Sequence, residues 1–313
     1  MKKLNILVIG TGAIGIYFGG KLFKAGFDVT FVDLPERVEK LNETGLKIDS
    51  KIDPCFEFKP KIVDQIIGLP AQDLILICVK AYHTYEITLN LLPVIKPSSI
   101  LLSLQNGLEN EKILSQILGK SLIMGAVPFF NGNVKDDYVV SQNAPGQIIY
   151  GEMDHQQSER EDWVSQVLAH ADINHTISRS IRIEIWKNFI WNNAFNTISA
   201  LTKTTYGQIV NMTEILPTIN QMMQEAQQVA SAEGYEISNQ QLEDLINFSS
   251  QYSNVISNMQ MDIESRSTPE LEALVGVLLQ KAKAHGITAI VNQTMYNLLQ
   301  LSLSNTDINL SND

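Results

Sequence analysis

Cysteine is nearly absent from this 313-residue chain: Cys55 and Cys78 are the only two. Neither has a partner nearby or a metal-ligand spacing, and Cys78 lies in the apolar run Leu74–Val79. A disulfide framework and a zinc site are therefore excluded, no metal ligands are expected, and the setting reads as reduced and cytoplasmic. No stretch reaches the roughly 18 apolar residues of a membrane span. Positive charge is scarce, with 23 Lys and Arg against 34 Asp and Glu, a net charge of −11; a nucleic-acid surface needs the opposite sign. There is no G-x-S-x-G, no P-loop and no internal repeat. The opening MKKLNILVIGTG sets two lysines before an apolar run, as secretory signals do. Asn5 and the glycines from Gly10 break that run and no small-residue cleavage site follows, so it reads as part of the fold. What remains is a soluble globular chain, 44% hydrophobic and 18% charged, long enough for two domains.

The first half alternates strand and helix signals. Leu4–Ile9 is an apolar run of strand length, and Gly10, Thr11, Gly12, Ala13, Ile14 and Gly15 follow it at once. A helical stretch closes at Gly26, and a second strand, Asp28–Val32, ends at Asp33, 18 residues after Gly15. Strand, G-x-G-x-x-G, helix, strand, acid is a dinucleotide-binding fingerprint in its required context. Gly10 permits the tight turn, Gly12 lets a pyrophosphate approach the backbone, and Gly15 lets helix and strand pack closely. The helix N-terminus offers free N–H groups to phosphate. Asp33 is either a ribose-hydroxyl acceptor, which leans the coenzyme toward NAD, or a turn residue before Leu34-Pro35; Arg37 or Lys40 could still reach the 2′-phosphate of NADP.

Further strands are expected at Asp73–Val79, Ile100–Leu104, Leu122–Pro128, Gln147–Tyr150 and Ile173–Thr176, in a parallel sheet covered on both faces. Lys80 and Asn106 stand at the C-terminal ends of two of them, where such sheets bind ligands. Asn106, before Gly107, is a turn residue or a contact to nicotinamide and substrate. The dinucleotide-binding domain is placed at residues 1–178.

Residues 179–313 read as an all-α domain. Trp186–Leu201 is apolar nearly all round, yet Asn188, Asn192 and Asn196 recur every four residues and stack on one helical face. Buried asparagines demand partners. They form either a structural polar network or a small-molecule site. Thr268-Pro269-Glu270 reads as a helix start, with a threonine cap and an acid favoured in the first turn by the helix dipole alone.

Taken together, the Gly10–Gly15 motif, Lys80, Gln105-Asn106-Gly107, Trp186 with Asn192 and Asn196, Asp262 with Glu270, and Ala284-His285-Gly286-Ile287 resemble, in order and spacing, the ketopantoate reductase (2-dehydropantoate 2-reductase) family over essentially the whole chain. The resemblance implies a Rossmann domain, then a helical domain of the 6-phosphogluconate dehydrogenase type, with a small 2-keto acid bound between them and reduced by NADPH. It further implies substrate contacts from Asn192 and Asn196, a nicotinamide-side contact from Asn106, and a catalytic role for Glu270. A homodimer is compatible with it.

Three positions depart from the family pattern. The family lysine, four residues before Asn192, is Asn188; Lys187 is one residue early, about 100° round a helix. The serine before Met259 is Asn258, with Ser257 beside it. The arginine that would meet a 2′-phosphate is Leu34, preceded by Asp33. Asparagine donates a hydrogen bond but has no proton to give. Readings therefore include reduction with Lys187 or water as proton source, a related NAD-dependent D-2-hydroxy acid dehydrogenase, and a nucleotide-binding protein without turnover.

Overall fold

The structure, a computed structural model, describes residues 4–136, 138–143, 145–250 and 254–305. The chain divides into two compact units, one running to Gln105 and resuming over Glu109–Ile181, the other made of Asn106–Leu108 and the chain from Arg182 onward.

The first unit contains strands β1 (Asn5–Ile9), β2 (Asp28–Val32), β3 (Leu46–Ser50), β4 (Phe56–Phe58), β5 (Lys61–Val63), β6 (Leu74–Ile77), β7 (Ile100–Ser103), β8 (Ile123–Phe129), β9 (Val134–Lys135), β10 (Val139–Gln142), β11 (Gln147–Glu152) and β12 (Asn174–Ile177). Its helices are α1 (Ala13–Lys24), α2 (Pro35–Thr44), α3 (Thr84–Leu91), α4 (Asn110–Leu118) and α5 (Glu159–His170). Eight strands form one sheet in the order β12-β11-β8-β7-β6-β1-β2-β5. Period-two alternation divides its side chains between two cores. Ile6 and Val8 of β1 join a cluster with Ile16 and Phe18 of α1, whereas Leu7 and Ile9 join one with Leu91 of α3 and Leu114 of α4. A strand buried on both faces has to be apolar throughout, as β6 is.

The sheet is not parallel throughout, as the alternation of signals had suggested. β11 runs antiparallel to β8. Among the described residues of the chain between them, 130–146, there is no helix, and a parallel return needs a crossover that usually carries one. That stretch instead supplies β9 and β10 to a second sheet, β4-β3-β10-β9, in which β3 and β10 pair in parallel across some ninety residues of sequence. No local signal marks it.

Helix α1 is packed from two directions. A Cβ on Gly19 would lie 2.5 Å from the Phe31 ring, in the large sheet. On Gly20 it would lie 2.8 Å from Phe58 and 2.9 Å from Ile48, in the small one. The Tyr17 hydroxyl accepts from the Gly146 amide (3.1 Å) and from Gln142 Nε2 (3.2 Å). Ile16, Tyr17, Phe18 and Leu22 of this helix are accordingly all buried.

The second unit holds α6 (Ile181–Thr202), α7 (Tyr206–Asn211), α8 (Leu216–Ala232), α9 (Asn239–Ser249), α10 (Asn258–Glu264), a π turn over Glu272–Gly276, α11 (Val277–Ala284) and α12 (Ile290–Ser304). The helix begins slightly later than the Thr268 signal implies. Thr268–Glu270 are non-helical, and helical bonding begins where the Leu274 amide meets the Glu270 carbonyl (3.1 Å). Asn193 of α6 donates to the Leu274 carbonyl (3.1 Å) within the π turn. Among the described residues no helix is long and apolar enough to cross a membrane.

Gly20→Val must push against Phe58 and Ile48. Overpacking of this kind costs about 1–3 kcal/mol, so the urea midpoint of the first unit should fall. An unchanged midpoint would show that the small sheet does not press on α1.

Candidate functional site

In the first unit the chain leaves β1 with neighbours β2 and β6 on its two sides, and the order in which strands are added reverses there. Ligand crevices of open α/β sheets lie at such a point, beyond the strand C-termini. Gly10 follows β1 with φ +99°, and a Cβ there would lie 3.1 Å from the Cys78 carbonyl. Gly15 is tighter, for its Cβ would fall 2.0 Å from the Gly10 carbonyl oxygen. Gly12 faces open space, with nothing within 4 Å of a Cβ. It begins α1 without a side-chain cap, and no acid stands in the first turn. Backbone N–H groups there are open to an anion. The turn fits a dinucleotide pyrophosphate on all three counts.

Asp33, after β2, folds back onto this turn. Its Oδ2 accepts from the Thr11 amide (3.0 Å) and the Thr11 hydroxyl, and pairs with Arg37 Nη1 (3.1 Å); its Oδ1 accepts from the Leu34 amide (2.7 Å). The Asp33 side chain is 7% exposed and that of Arg37 32%. Asp33 is thus the tie between the glycine turn and α2, and its charge is partnered before any ribose arrives.

At the next two strand ends, Lys80 follows β6 and is half-buried, its carbonyl accepting from the His83 amide (3.0 Å). Gln105, after β7, joins the two ends. Its Nε2 donates to the Val79 carbonyl (3.0 Å) and the Thr84 hydroxyl (2.9 Å), and its Oε1 accepts from Ser103 (3.1 Å). Gln105 had been read only as part of a motif. Three partners converging from the ends of two strands and the start of α3 are invisible in a linear sequence. Asn106 is half-buried beside Gly107, whose φ of +108° makes this a true turn.

In the second unit the three asparagines of α6 form a continuous ladder whose direction can be derived. Asn192 Nδ2 donates to the Asn188 backbone carbonyl (2.9 Å) and to Asn188 Oδ1 (3.0 Å). A backbone carbonyl only accepts, so this contact fixes which way the Asn192 amide faces. Its Oδ1 must then accept from Asn196 Nδ2 (3.1 Å), and Asn196 Oδ1 accepts from the Tyr206 hydroxyl (2.6 Å). Both N–H groups of Asn192 are spent. Asn188 alone keeps its whole NH₂ without a partner among the described residues, on a half-buried side chain at the head of the ladder. Tyr206, ten residues beyond Asn196, had no signal of its own.

Lys187 points elsewhere. Its Nζ pairs with Glu184 Oε2 (2.8 Å), one turn back, with both side chains 24% exposed. A helical bulge would shift its register toward Asn188, but α6 is α-helical throughout. Near Met259 it is Ser257 that is buried. It caps α10 by accepting from the Gln260 amide (2.9 Å) and donates to the Asn196 carbonyl (3.4 Å), whereas Asn258 is exposed. Glu270 is 6% exposed.

The family model "Ketopantoate reductase PanE/ApbA" matches residues 6–155, and "Ketopantoate reductase PanE/ApbA C terminal" matches 180–302. A 2-dehydropantoate 2-reductase of a Nostoc species is 27% identical over 96% of this chain and 95% of its own. The crystal structure of 2-dehydropantoate 2-reductase from Geobacter metallireducens superposes with a TM-score of 0.89 at 24% identity, covering 96% of this chain and 100% of that one. D-mandelate dehydrogenase, solved with NADH and anilino(oxo)acetate, superposes with a TM-score of 0.90 at 19% identity, covering 97% and 100%.

Tyr206→Phe strips the donor from Asn196 Oδ1, on a side chain 1% exposed. An orphaned buried carbonyl costs about 1–3 kcal/mol, so chemical denaturation should register a loss of that size. Stability equal to wild type would mean that the ladder is not anchored at Tyr206.

Proposed function

The chain belongs to the ketopantoate reductase family, and from that premise we propose that it reduces the keto group of a 2-keto acid, 2-dehydropantoate or a close relative, with a reduced nicotinamide dinucleotide. The observation that carries the reading is the directed asparagine ladder of α6 in a chain whose other unit bears an open dinucleotide turn. Relatives aligned along nearly their full length are named 2-dehydropantoate 2-reductases, and D-mandelate dehydrogenase, of the same fold, was solved with NADH.

Gly10–Gly15 and the first turn of α1 would hold the pyrophosphate, Asp33 and Arg37 the adenosine ribose, and Lys80 and Asn106 the nicotinamide side. When bound, the reduced nicotinamide supplies the hydride. Asn188 donates its amide hydrogens to the keto oxygen and polarises it. Asn192 and Asn196 orient Asn188 through the ladder and complete the substrate contacts with Asn106, Asn258 and Glu270. Asn188 has no proton to transfer and Lys187 is engaged with Glu184, so the alkoxide takes its proton from water. Losing a positioned general acid typically costs about 10²–10⁴-fold; turnover is slow for that reason.

Oxidation of NADH and NADPH, followed at 340 nm with 2-dehydropantoate and a panel of 2-keto acids, tests this reading. Coenzyme binding without oxidation of either across the panel would leave a nucleotide-binding protein in its place. Asn188→Lys should raise kcat on 2-dehydropantoate by about tenfold or more, and no gain would show that proton supply is not what limits the reaction.

For the coenzyme, we read NADH as the better fit with NADPH tolerated, because Arg37 offsets the charge that Asp33 would turn against a 2′-phosphate. Arg37→Ala should then lower NADPH use relative to NADH. An unchanged ratio removes Arg37 from coenzyme choice.

A further inference from the structure

The segment that carries Glu270 runs into the π turn Glu272–Gly276. Such turns shift the hydrogen-bond register by one residue and recur at functional sites. The residue at issue here is Leu274. Its amide bonds back to the Glu270 carbonyl at 3.1 Å, and its carbonyl accepts Asn193 Nδ2 at 3.1 Å. Glu270 is therefore two bonds from α6, and it arrives there one residue along from Asn192, the middle rung of the ladder.

Asn193 is 0% exposed, and its Oδ1 has no hydrogen-bond partner. A buried orphan carbonyl is unfavourable, and leucine, of similar shape, would avoid it. Packing alone does not account for an amide there; its donor does. The Asn193 backbone carbonyl is also taken, by the Thr197 hydroxyl at 2.6 Å, so the helix is pinned where the side chain leaves it. On the other side of the π turn, the Glu272 carboxylate accepts from the Tyr296 hydroxyl of α12 and lies over Gly276, where a Cβ would come within 2.1 Å of Oε2. The turn is tied on both sides, and Asn193 is its tie to the ladder helix.

We infer that Asn193 is a positioning residue: its side-chain N–H clamps the π turn to α6 and so sets where Glu270 stands relative to Asn188, Asn192 and Asn196. The clamp stands on geometry alone; its consequence for turnover rests on the reductase reading above.

Asn193→Leu removes the donor and the orphan acceptor together. The variant should melt no lower than wild type and bind NADH unchanged by fluorescence. Amide hydrogen exchange over residues 271–277 should quicken by about tenfold while α8 and α12 keep their protection. Its kcat should fall about 10- to 100-fold, as small misplacements at reacting centres do, with little change in KM. In a Glu270→Ala background the same substitution should have no further effect. Unchanged exchange over 271–277 overturns the clamp, and an equal kcat loss in the Glu270→Ala background overturns the route through Glu270. Asn193→Ala, which also lacks the donor, must reproduce the exchange pattern and guards against a folding failure particular to leucine. If the wild type oxidises neither coenzyme with any 2-keto acid, the reductase reading fails, while the exchange measurement still decides the clamp.

Discussion

Lack of room around α1 is the constraint from which the first unit follows. The helix touches the large sheet through Gly19, the small sheet through Gly20, and the preceding turn through Gly15, at distances where a single added carbon would overlap its neighbours. Close-packed interiors have no slack to absorb such an atom. The axis of the helix, and with it the direction of its uncapped N-terminus, is held by backbone contact with both sheets. That is how a set of uncapped main-chain N–H groups acquires a definite position. Asp33, tying Thr11 to α2 through its two oxygens, completes the frame from the adjoining strand.

In the second unit the comparable constraint is a single acceptor. Because the Asn188 backbone carbonyl can take a hydrogen bond and never give one, Asn192 has one orientation, and Asn196 and Tyr206 follow in turn. Buried amides linked in this way reinforce one another and are costly to break. The ladder ends in a neutral donor, the side-chain amide of Asn188. A site built so can polarise a carbonyl without carrying charge, and the nearest cation on the same helix, Lys187, is turned away and neutralised by Glu184.

The legible parts were those in which one local pattern has one physical meaning. Gly10 turns the chain and Gly15 packs tightly against that turn, as their spacing implied, and the asparagine period of four became a real ladder. Short strands were less legible. β3 and β10 are five and four residues long, and nothing within so few residues announces a partner some ninety positions away. The helix start at Thr268 misled for another reason. The capping chemistry locates the start only approximately, because a local signal does not fix a helix boundary to the residue. Gln105, Tyr206 and Ser257 escaped notice because their importance lies in where their partners converge.

By itself, then, the sequence determined the class of each unit, the place of the glycine turn and the helix that bears the asparagines. These depend on periodicity and on residue chemistry, which act over a few neighbours. Only the tertiary structure decided the direction of the ladder, the engagement of Asp33 and Lys187, the second sheet and the π turn held by Asn193. Each of those is settled by a hydrogen bond or a packing distance between residues remote in sequence or turned to one face, and a donor's preference among competing acceptors is fixed only once the fold has brought them within reach.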